Sequence, residues 1–381
     1  MSTIPLDYET LRLIWWLLLG VLLIGFAVMG GRDLGVGALL PFAARTDDGR
    51  RVLLNVVGPT WEGNQVWLVL GGGAIFAAFP PLYAVSFSGF YLAMIVILLA
   101  LILRPVGFKF RGKIADARWR AVWDWALFVG GAVPSLIFGV AVGNVLLGAP
   151  FHFDDTMRIF YTGNFFQLLM PFALLCGLVS LLMIATQGAA VIVGRTEGVL
   201  AERGRTLGIW AGLGTIVLFA LGGVWLAFMD GHTITSVVDP NAPINPLAKT
   251  VELVRGGWLS NYGTYPWMIA APVLGFAGMA LAVLSLNARK GLPALLAASV
   301  GIFGIISTAG LSLFPFLLPS STLPQAGLTL WDASSSHLTL FVMLLVTVVF
   351  LPIILLYTAW VFRVMRGTVT TTTLNKNPNA Y

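Results

Sequence analysis

Charged residues are scarce in this chain of 381 residues. Lysine, arginine, aspartate and glutamate together make up 10% of it, whereas about 25% is usual in a soluble domain. Apolar residues make up 58%, and the mean hydropathy is +0.91. So few charges could not cover the surface of a soluble protein of this size, and so apolar a chain is not disordered. The composition therefore predicts an all-α, polytopic membrane protein.

Cysteine and histidine are also scarce, which limits metal and haem chemistry. The one cysteine, Cys176, can form neither an intrachain disulfide nor a multi-cysteine metal site. The three histidines, His152, His232 and His337, fall in or beside predicted loops. A chain that bound several haems alone would need more axial ligands. The residues thus predict no catalytic, cofactor-binding or metal site of their own.

Long apolar runs predict about nine transmembrane helices, since one span needs about 20 residues. We expect residues 1–366 to form a single integral membrane domain with outer loops at about 230–265 and 317–336. The 230–265 loop is expected to be ordered by its contacts, without a core of its own, and residues 367–381 to form a polar cytoplasmic tail. The predicted spans are 11–38, 55–79, 81–103, 121–147, 162–193, 206–229, 266–287, 291–316 and 337–365.

The distribution of basic residues predicts the orientation. Most lysines and arginines lie in the tail and in the loops after the first, third, fifth and seventh spans. By the positive-inside rule, this places the N-terminus outside and the C-terminus in the cytoplasm. The pI of about 9.7 is then a signal of topology and does not indicate a nucleic-acid partner. The basic residues on the opposite side are Arg12, Arg158, Lys249 and Arg255.

The first span contains an acidic residue in its inner half. Ionisable groups inside a span are costly and usually functional. Asp33, in the stretch GGRDLGVG, is either a proton-carrying carboxylate or the partner of Arg32 or Arg104 in an ion pair. The glycines around it favour close packing of helices.

The stretch WEGNQVW at 61–67 opens the second span with several polar residues. On a helix, Trp61, Asn64 and Gln65 share one face, with Glu62 at its border. Glu62 is either a proton-uptake group in a dry setting or a carboxylate at a helix start, where the helix dipole favours it.

Other polar positions favour structural roles. Arg104, at the inner end of the third span, is expected to extend to the interface, with Pro105 helping to end the helix. The tryptophans around Asp124 predict an aromatic belt. Asp332 and His337 lie in a proline-rich outer segment that could line a cavity or dock a partner. Three classes remain open: a transporter or channel, a structural partner, and a subunit of a redox complex.

The order of these motifs resembles subunit II of the cytochrome bd-type quinol oxidases. The resemblance runs from about Tyr8 to Trp360. Its most specific stretches are GPTWEGNQVWLV at 58–69, RPVGFKFRGKI at 104–114, FPFLLPSSTL at 314–323 and LTLWDASSSHLTL at 328–340.

The resemblance implies a bacterial plasma-membrane complex that oxidises ubiquinol and reduces O2 to water. It implies that haem b and haem d, or haem b alone, lie in subunit I, and that subunit II pairs two four-helix bundles with one peripheral helix. A small single-helix subunit is often present, and some members carry a structural quinone in subunit II. The alternative is a secondary transporter or channel that acts without a redox partner.

The resemblance also carries roles for particular residues. Glu62 stands where enterobacterial members usually have Asp on the proton path, so the carboxyl is kept but is one methylene longer. Asp33 matches an acidic position of the family, although a second aspartate often found about three residues earlier is absent. Trp67 resembles a tryptophan associated with an oxygen route, while the residues alone indicate packing. Arg104 matches the arginine of the family's RPVGF stretch.

Overall fold

Long α-helices make up most of the protein. The computed structural model describes residues 4–375. In chain order its helices are α1 (Tyr8–Ala43), α2 (Asp47–Val57), α3 (Trp61–Ala78), α4 (Pro80–Gly89), α5 (Tyr91–Phe110), α6 (Ala117–Leu147), α7 (Pro171–Arg195), α8 (Gly198–Phe228), α9 (Ser260–Thr264), α10 (Ala270–Asn287), α11 (Gly291–Leu313), α12 (His337–Val364) and α13 (Thr371–Asn375).

Eight helices within residues 4–375 are long and apolar enough to cross a membrane: α1, α5, α6, α7, α8, α10, α11 and α12. The predicted span 55–79 corresponds to α3, which has 18 residues and begins only at Trp61. Its polar first turn makes it less apolar than the other eight. Residues 55–57 belong instead to α2, since the Gly58–Pro59 pair interrupts the helix.

Other predicted boundaries also need correction. The span 81–103 is divided into α4 and α5 at Phe90. The span predicted to begin at 162 begins at Pro171, after a short 3₁₀ turn at Phe165–Leu169. Pro105 does not end α5, which continues to Phe110. Proline is tolerated inside transmembrane helices because neighbouring groups can satisfy the backbone that it frees.

The helices pack in two groups of four. One group contains α1, α3, α5 and α6, and the other contains α7, α8, α10 and α11. The groups meet where α7 packs against α1 and α6. Helix α12 lies at the edge against α1 and α3, and it buries Leu340 while most of its apolar surface stays exposed. This confirms the expected pair of four-helix bundles with one peripheral helix.

Glycines bring the two bundles into backbone contact. A Cβ atom on Gly35 of α1 would collide with the carbonyl oxygen of Ile184 on α7. A Cβ on Gly188 would collide with the Gly35 backbone in turn. Small residues allow such close approach in membrane helices. The glycine-rich stretch that contains Asp33 therefore serves helix packing, as predicted.

Three antiparallel hairpins and the N-terminus gather at the predicted outer end. Strand β1 (Phe151–Phe153) pairs with β2 (Ile159–Tyr161), β3 (Asp230–Ile234) with β4 (Val251–Arg255), and β5 (Phe316–Leu318) with β6 (Leu328–Thr329). In the β3–β4 register, Asp230 lies opposite Arg255 and Ile234 opposite Val251.

The 230–265 segment packs onto neighbouring elements rather than around a core of its own. Trp258 is 1% exposed and packs with Val251 and Phe316. Its indole Nε1 donates to the Leu146 carbonyl at 3.1 Å. Strands β3 and β4 fold the segment back onto the helix ends, so its buried residues join the core of the neighbouring elements.

Buried polar contacts join the outer segments. Lys249 Nζ donates to Asp332 Oδ2 at 2.6 Å, and the Thr329 N–H donates to Asp332 Oδ1 at 2.7 Å. Arg12 is fully buried and donates through Nε to Ser334 Oγ at 2.8 Å. Its guanidinium lies 3.6 Å from the ring centre of Tyr8. Asp332, for which a structural role was predicted, thus links two long outer loops.

A second charged network joins the segments of the predicted inner end. Asp124 is 1% exposed and accepts from Arg111 Nε at 2.5 Å and from Arg50 Nη1 at 2.7 Å. Asp47 adds ion pairs with Arg111 and Arg120, each at 2.7 Å. The aromatic-belt interpretation of this stretch missed Asp124. The signal that could have found it was a carboxylate four residues after the arginine-rich stretch 104–120.

The loops thus collect at two opposite ends, as the alternation of basic residues predicts. The tail reaches the inner end through the Val369 N–H, which donates to the Arg195 carbonyl at 2.8 Å. Lys376 and the rest of the tail beyond residue 375 lie outside the described residues.

Candidate functional site

A buried carboxylate lies at the contact between α1 and α3. Asp33 is 3% exposed, and its Oδ2 accepts a hydrogen bond from Asn64 Nδ2 at 2.8 Å. In the described part of the chain, neither Arg32 nor Arg104 lies within 4.0 Å ion-pair distance of Asp33. The direct partner of Asp33 is therefore an amide, and the two arginines lie beyond ion-pair distance.

Arg104 lies inside the bundle rather than at the interface. It is 5% exposed, and its Nη1 donates to Gln65 Oε1 at 2.9 Å. Its guanidinium carbon lies 5.6 Å from the Trp61 ring centre, and Trp61 stacks on Phe108 at 5.3 Å. The expectation that Arg104 extends to the interface was wrong because α5 continues past Pro105, which keeps Arg104 more than one turn from the helix end.

The first turn of α3 separates the predicted polar residues onto two faces. Trp61 and Asn64 are buried and Gln65 is half-buried, as the shared helix face predicted. Glu62 is exposed on the other side of α3 and so lies apart from Asp33. The dry setting expected for Glu62 is therefore not supplied by this chain.

Trp67 packs against α1 beside Gly25. It is 5% exposed, and a Cβ added to Gly25 would come within 2.6 Å of its ring atom Cε3. The neighbouring apolar side chains include Phe26 and Ile97. This geometry is that of a packing residue.

A cavity of about 570 Å³ borders Asp33 at the predicted inner end. Its wall includes Asn55 and Thr60 beside the start of α3, and it is also bounded by α7, α11 and the end of α12. A second void, of about 10 Å³, lies between Asp33 and Arg104. That volume is close to the space one water molecule needs. Asp33 therefore lies between an open cavity and the buried Arg104.

Each of the three histidines contacts a residue of the outer segments. His232 Nε2 lies 2.9 Å from the Ser320 carbonyl oxygen, and His337 Nε2 lies 2.7 Å from that of Leu6. The His152 ring stacks on Phe160 at 5.5 Å. Among the described residues, neither cavity is lined by a histidine and no cluster of three metal-ligating side chains occurs. This donor set does not fit a haem.

The fold and the cluster define a polytopic membrane protein with a buried carboxylate, amide and guanidinium where α1, α3 and α5 meet. The model of the family described as "Cytochrome bd terminal oxidase subunit II" matches residues 11–365. The chain belongs to this family, and so it is a subunit of an oxidoreductase complex and a multi-pass membrane protein.

Individual relatives agree over nearly the full length. The chain is 51% identical to "Cytochrome bd-I ubiquinol oxidase subunit 2" of Escherichia coli K12 over 376 residues, covering 98% of this chain and 99% of that one. It is 46% identical to "Probable cytochrome oxidase subunit 2" of Haemophilus influenzae, with coverage of 98% and 99%. The bd oxidase structure from Geobacillus thermodenitrificans matches with a TM-score of 0.68 at 17% identity, covering 93% of this chain and 98% of that one.

Proposed function

We propose that this chain is the haem-free subunit of a quinol oxidase and that it brings protons toward haems held by subunit I. The complex would couple oxidation of ubiquinol, the substrate in the name of the Escherichia coli relative, to reduction of O2 to water. The observation that carries the proton role is Asp33, a buried carboxylate that borders a large cavity at the basic end of the bundle.

Asp33 would exchange protons with water in that cavity. The Asn64 amide holds the carboxylate in one orientation, and Arg104, fixed by Gln65, lies across the small void. In the low dielectric of a bundle core, nearby cations favour the ionised carboxylate, whereas burial favours the protonated one. Opposing influences of this kind suit a group that binds and releases a proton.

Glu62 would be a second proton-carrying carboxylate, on another face of α3. Its carboxyl is exposed on α3, one residue after the helix begins. We infer that subunit I covers it in the complex and supplies the dry setting that this chain lacks. Trp67 keeps a packing role beside Gly25, with an oxygen route next to it as a second role.

The haems would be haem b and haem d, or haem b alone, bound by subunit I, where they supply electron transfer and O2 reduction. A structural quinone in this chain and a small single-helix subunit are further family features that we assign to no residue here. We place the N-terminus outside and the tail in the cytoplasm of a bacterial cell, with residues 1–366 as the single membrane domain.

Purification through a tag on this chain tests the assignment. We expect co-purification of a larger subunit whose reduced-minus-oxidised spectrum shows haem b bands, with or without a red haem d band. After mild dissociation, the absorbance should follow the larger subunit. A colourless chain that is active alone would instead support the secondary transporter.

Glu62→Gln tests the proton role of the exposed carboxyl. Normal haem content with strongly reduced oxygen consumption supports the role. Unchanged turnover refutes it, and loss of all haem points to a structural role at the subunit interface.

A further inference from the structure

The large cavity beside Asp33 is rich in arginine. Arg32, Arg195 and Arg366 line it, and Asp33 is the one acidic residue in the wall formed by the described residues. The oxygen of Asp33 that makes a hydrogen bond faces Asn64 of α3. The wall therefore has an excess of positive charge.

Two of these guanidinium groups are incompletely paired. The Nε atoms of Arg32 and Arg195 are buried and have no hydrogen-bond partner in the described part of the chain. None of the three arginines forms an ion pair with a described carboxylate. Arg32 instead lies with its guanidinium carbon 4.7 Å from the Phe362 ring centre. Leaving buried charged donors unsatisfied is costly, so an anion in the cavity would be stabilised.

Most of the rest of the wall is apolar, and part of it reaches the exposed apolar surface of α11 and α12. Leu292 and Leu296 of α11 line the cavity and are 65% and 59% exposed, and Val364 at the end of α12 is 57% exposed. The site therefore combines cationic groups with an apolar side opening. A free inorganic anion needs only the cationic groups, whereas a phospholipid uses both.

We propose that this cavity binds the phosphate headgroup of an anionic phospholipid of the inner leaflet. The phosphate lies among Arg32, Arg195 and Arg366, and the acyl chains extend along α11 and α12. Basic pockets between transmembrane helices on the cytoplasmic side are suited to such headgroups. The C-terminal segment covers one side of the site, held by the bond from Val369 to the Arg195 carbonyl.

Native mass spectrometry of the delipidated complex tests this proposal. Phosphatidylglycerol and phosphatidylcholine are titrated separately into the wild-type complex, the Arg366→Gln variant and the Arg195→Gln/Arg366→Gln variant. We expect one tight phosphatidylglycerol site. Its affinity should fall about fivefold for each arginine removed, from the attraction of about 1 kcal/mol per basic residue. Arg32 is left unchanged because it neighbours Asp33.

A matched double variant, Arg203→Gln/Arg363→Gln, removes two arginines from the same end that do not line the cavity, and it should bind phosphatidylglycerol as the wild type does. Arg366 is exposed, so its single variant keeps the test valid if the double variant fails to assemble. Equal losses in the cavity and control variants overturn the proposal, as does absence of a tight site in the wild type. Displacement of the lipid by millimolar inorganic phosphate would show that the site takes a free anion and would also overturn it.

Discussion

The Asn64 amide donates a hydrogen bond to the Asp33 carboxylate at 2.8 Å and so links α3 to α1 within the buried core. Asn64 lies in the first turn of α3, which begins with the polar stretch WEGNQ. The same turn carries Gln65, which holds Arg104. The start of α3 therefore fixes both polar neighbours of the buried carboxylate.

Asn64→Leu should reduce both stability and turnover. It removes the hydrogen bond to a buried carboxylate, which costs about 1–3 kcal/mol. Oxygen consumption per haem and the thermal midpoint of the complex are measured against Val69→Leu, at a 70% exposed position of the same helix. Equal behaviour of the two variants would show that the Asn64–Asp33 bond has no role.

Asp124→Asn should destabilise the inner end of the bundle. Asp124 pairs with Arg111 and Arg50, and removing one partner of a buried ion pair costs about 3–5 kcal/mol. We expect a clear drop in the thermal midpoint of the complex, measured by tryptophan fluorescence. Asp48→Asn, an exposed carboxylate in the first turn of the adjoining helix α2, is the control and should leave the midpoint nearly unchanged. A midpoint for Asp124→Asn equal to that of the control would contradict the ion-pair account.

Gly35→Ala should disturb the contact between the two bundles. A methyl group there meets the Ile184 carbonyl, and overpacking costs about 1–3 kcal/mol or more. Gly20→Ala, in the same helix with open space around it, should be tolerated. The yield of assembled complex and its thermal midpoint distinguish the two variants. If Gly35→Ala assembles as well as Gly20→Ala, the backbone contact is not required.

The outer loops should lose stability in acid because of His232. Burial lowers the pKa of His232 below its ordinary value of 6.5. The unfolded chain therefore binds more protons than the folded chain below about pH 6.5, and stability rises with pH through that window and is lost as pH falls. The slope for one such group is at most about 1.4 kcal/mol per pH unit.

His232→Gln tests this dependence, because glutamine can still donate to the Ser320 carbonyl but does not titrate. Thermal midpoints between pH 5 and pH 8 should fall less in acid for His232→Gln than for the wild type. His152→Gln is the matched control. An identical acid slope in His232→Gln and wild type would assign the dependence to other groups.

The residues predicted most of the membrane-spanning helices, the ends at which loops gather and one face of α3, while the two bundles were implied by the family resemblance. Helical periodicity alone places Trp61, Asn64 and Gln65 together, because they lie on one polypeptide segment. The Asp33–Asn64 bond could not be predicted, since it depends on how α1 and α3 rotate against each other. The Lys249–Asp332 ion pair could not be predicted either, because 83 residues separate its members and only the folding of the outer segments brings them together.

Oxygen consumption by the Asp33→Asn complex tests the central claim most directly. Asparagine keeps the shape of Asp33 but cannot carry a proton. The proton role predicts normal haem content with turnover lower by ~10-fold or more, while the Asp48→Asn control keeps wild-type turnover. Undiminished turnover in Asp33→Asn at normal haem content would contradict a proton role for this carboxylate.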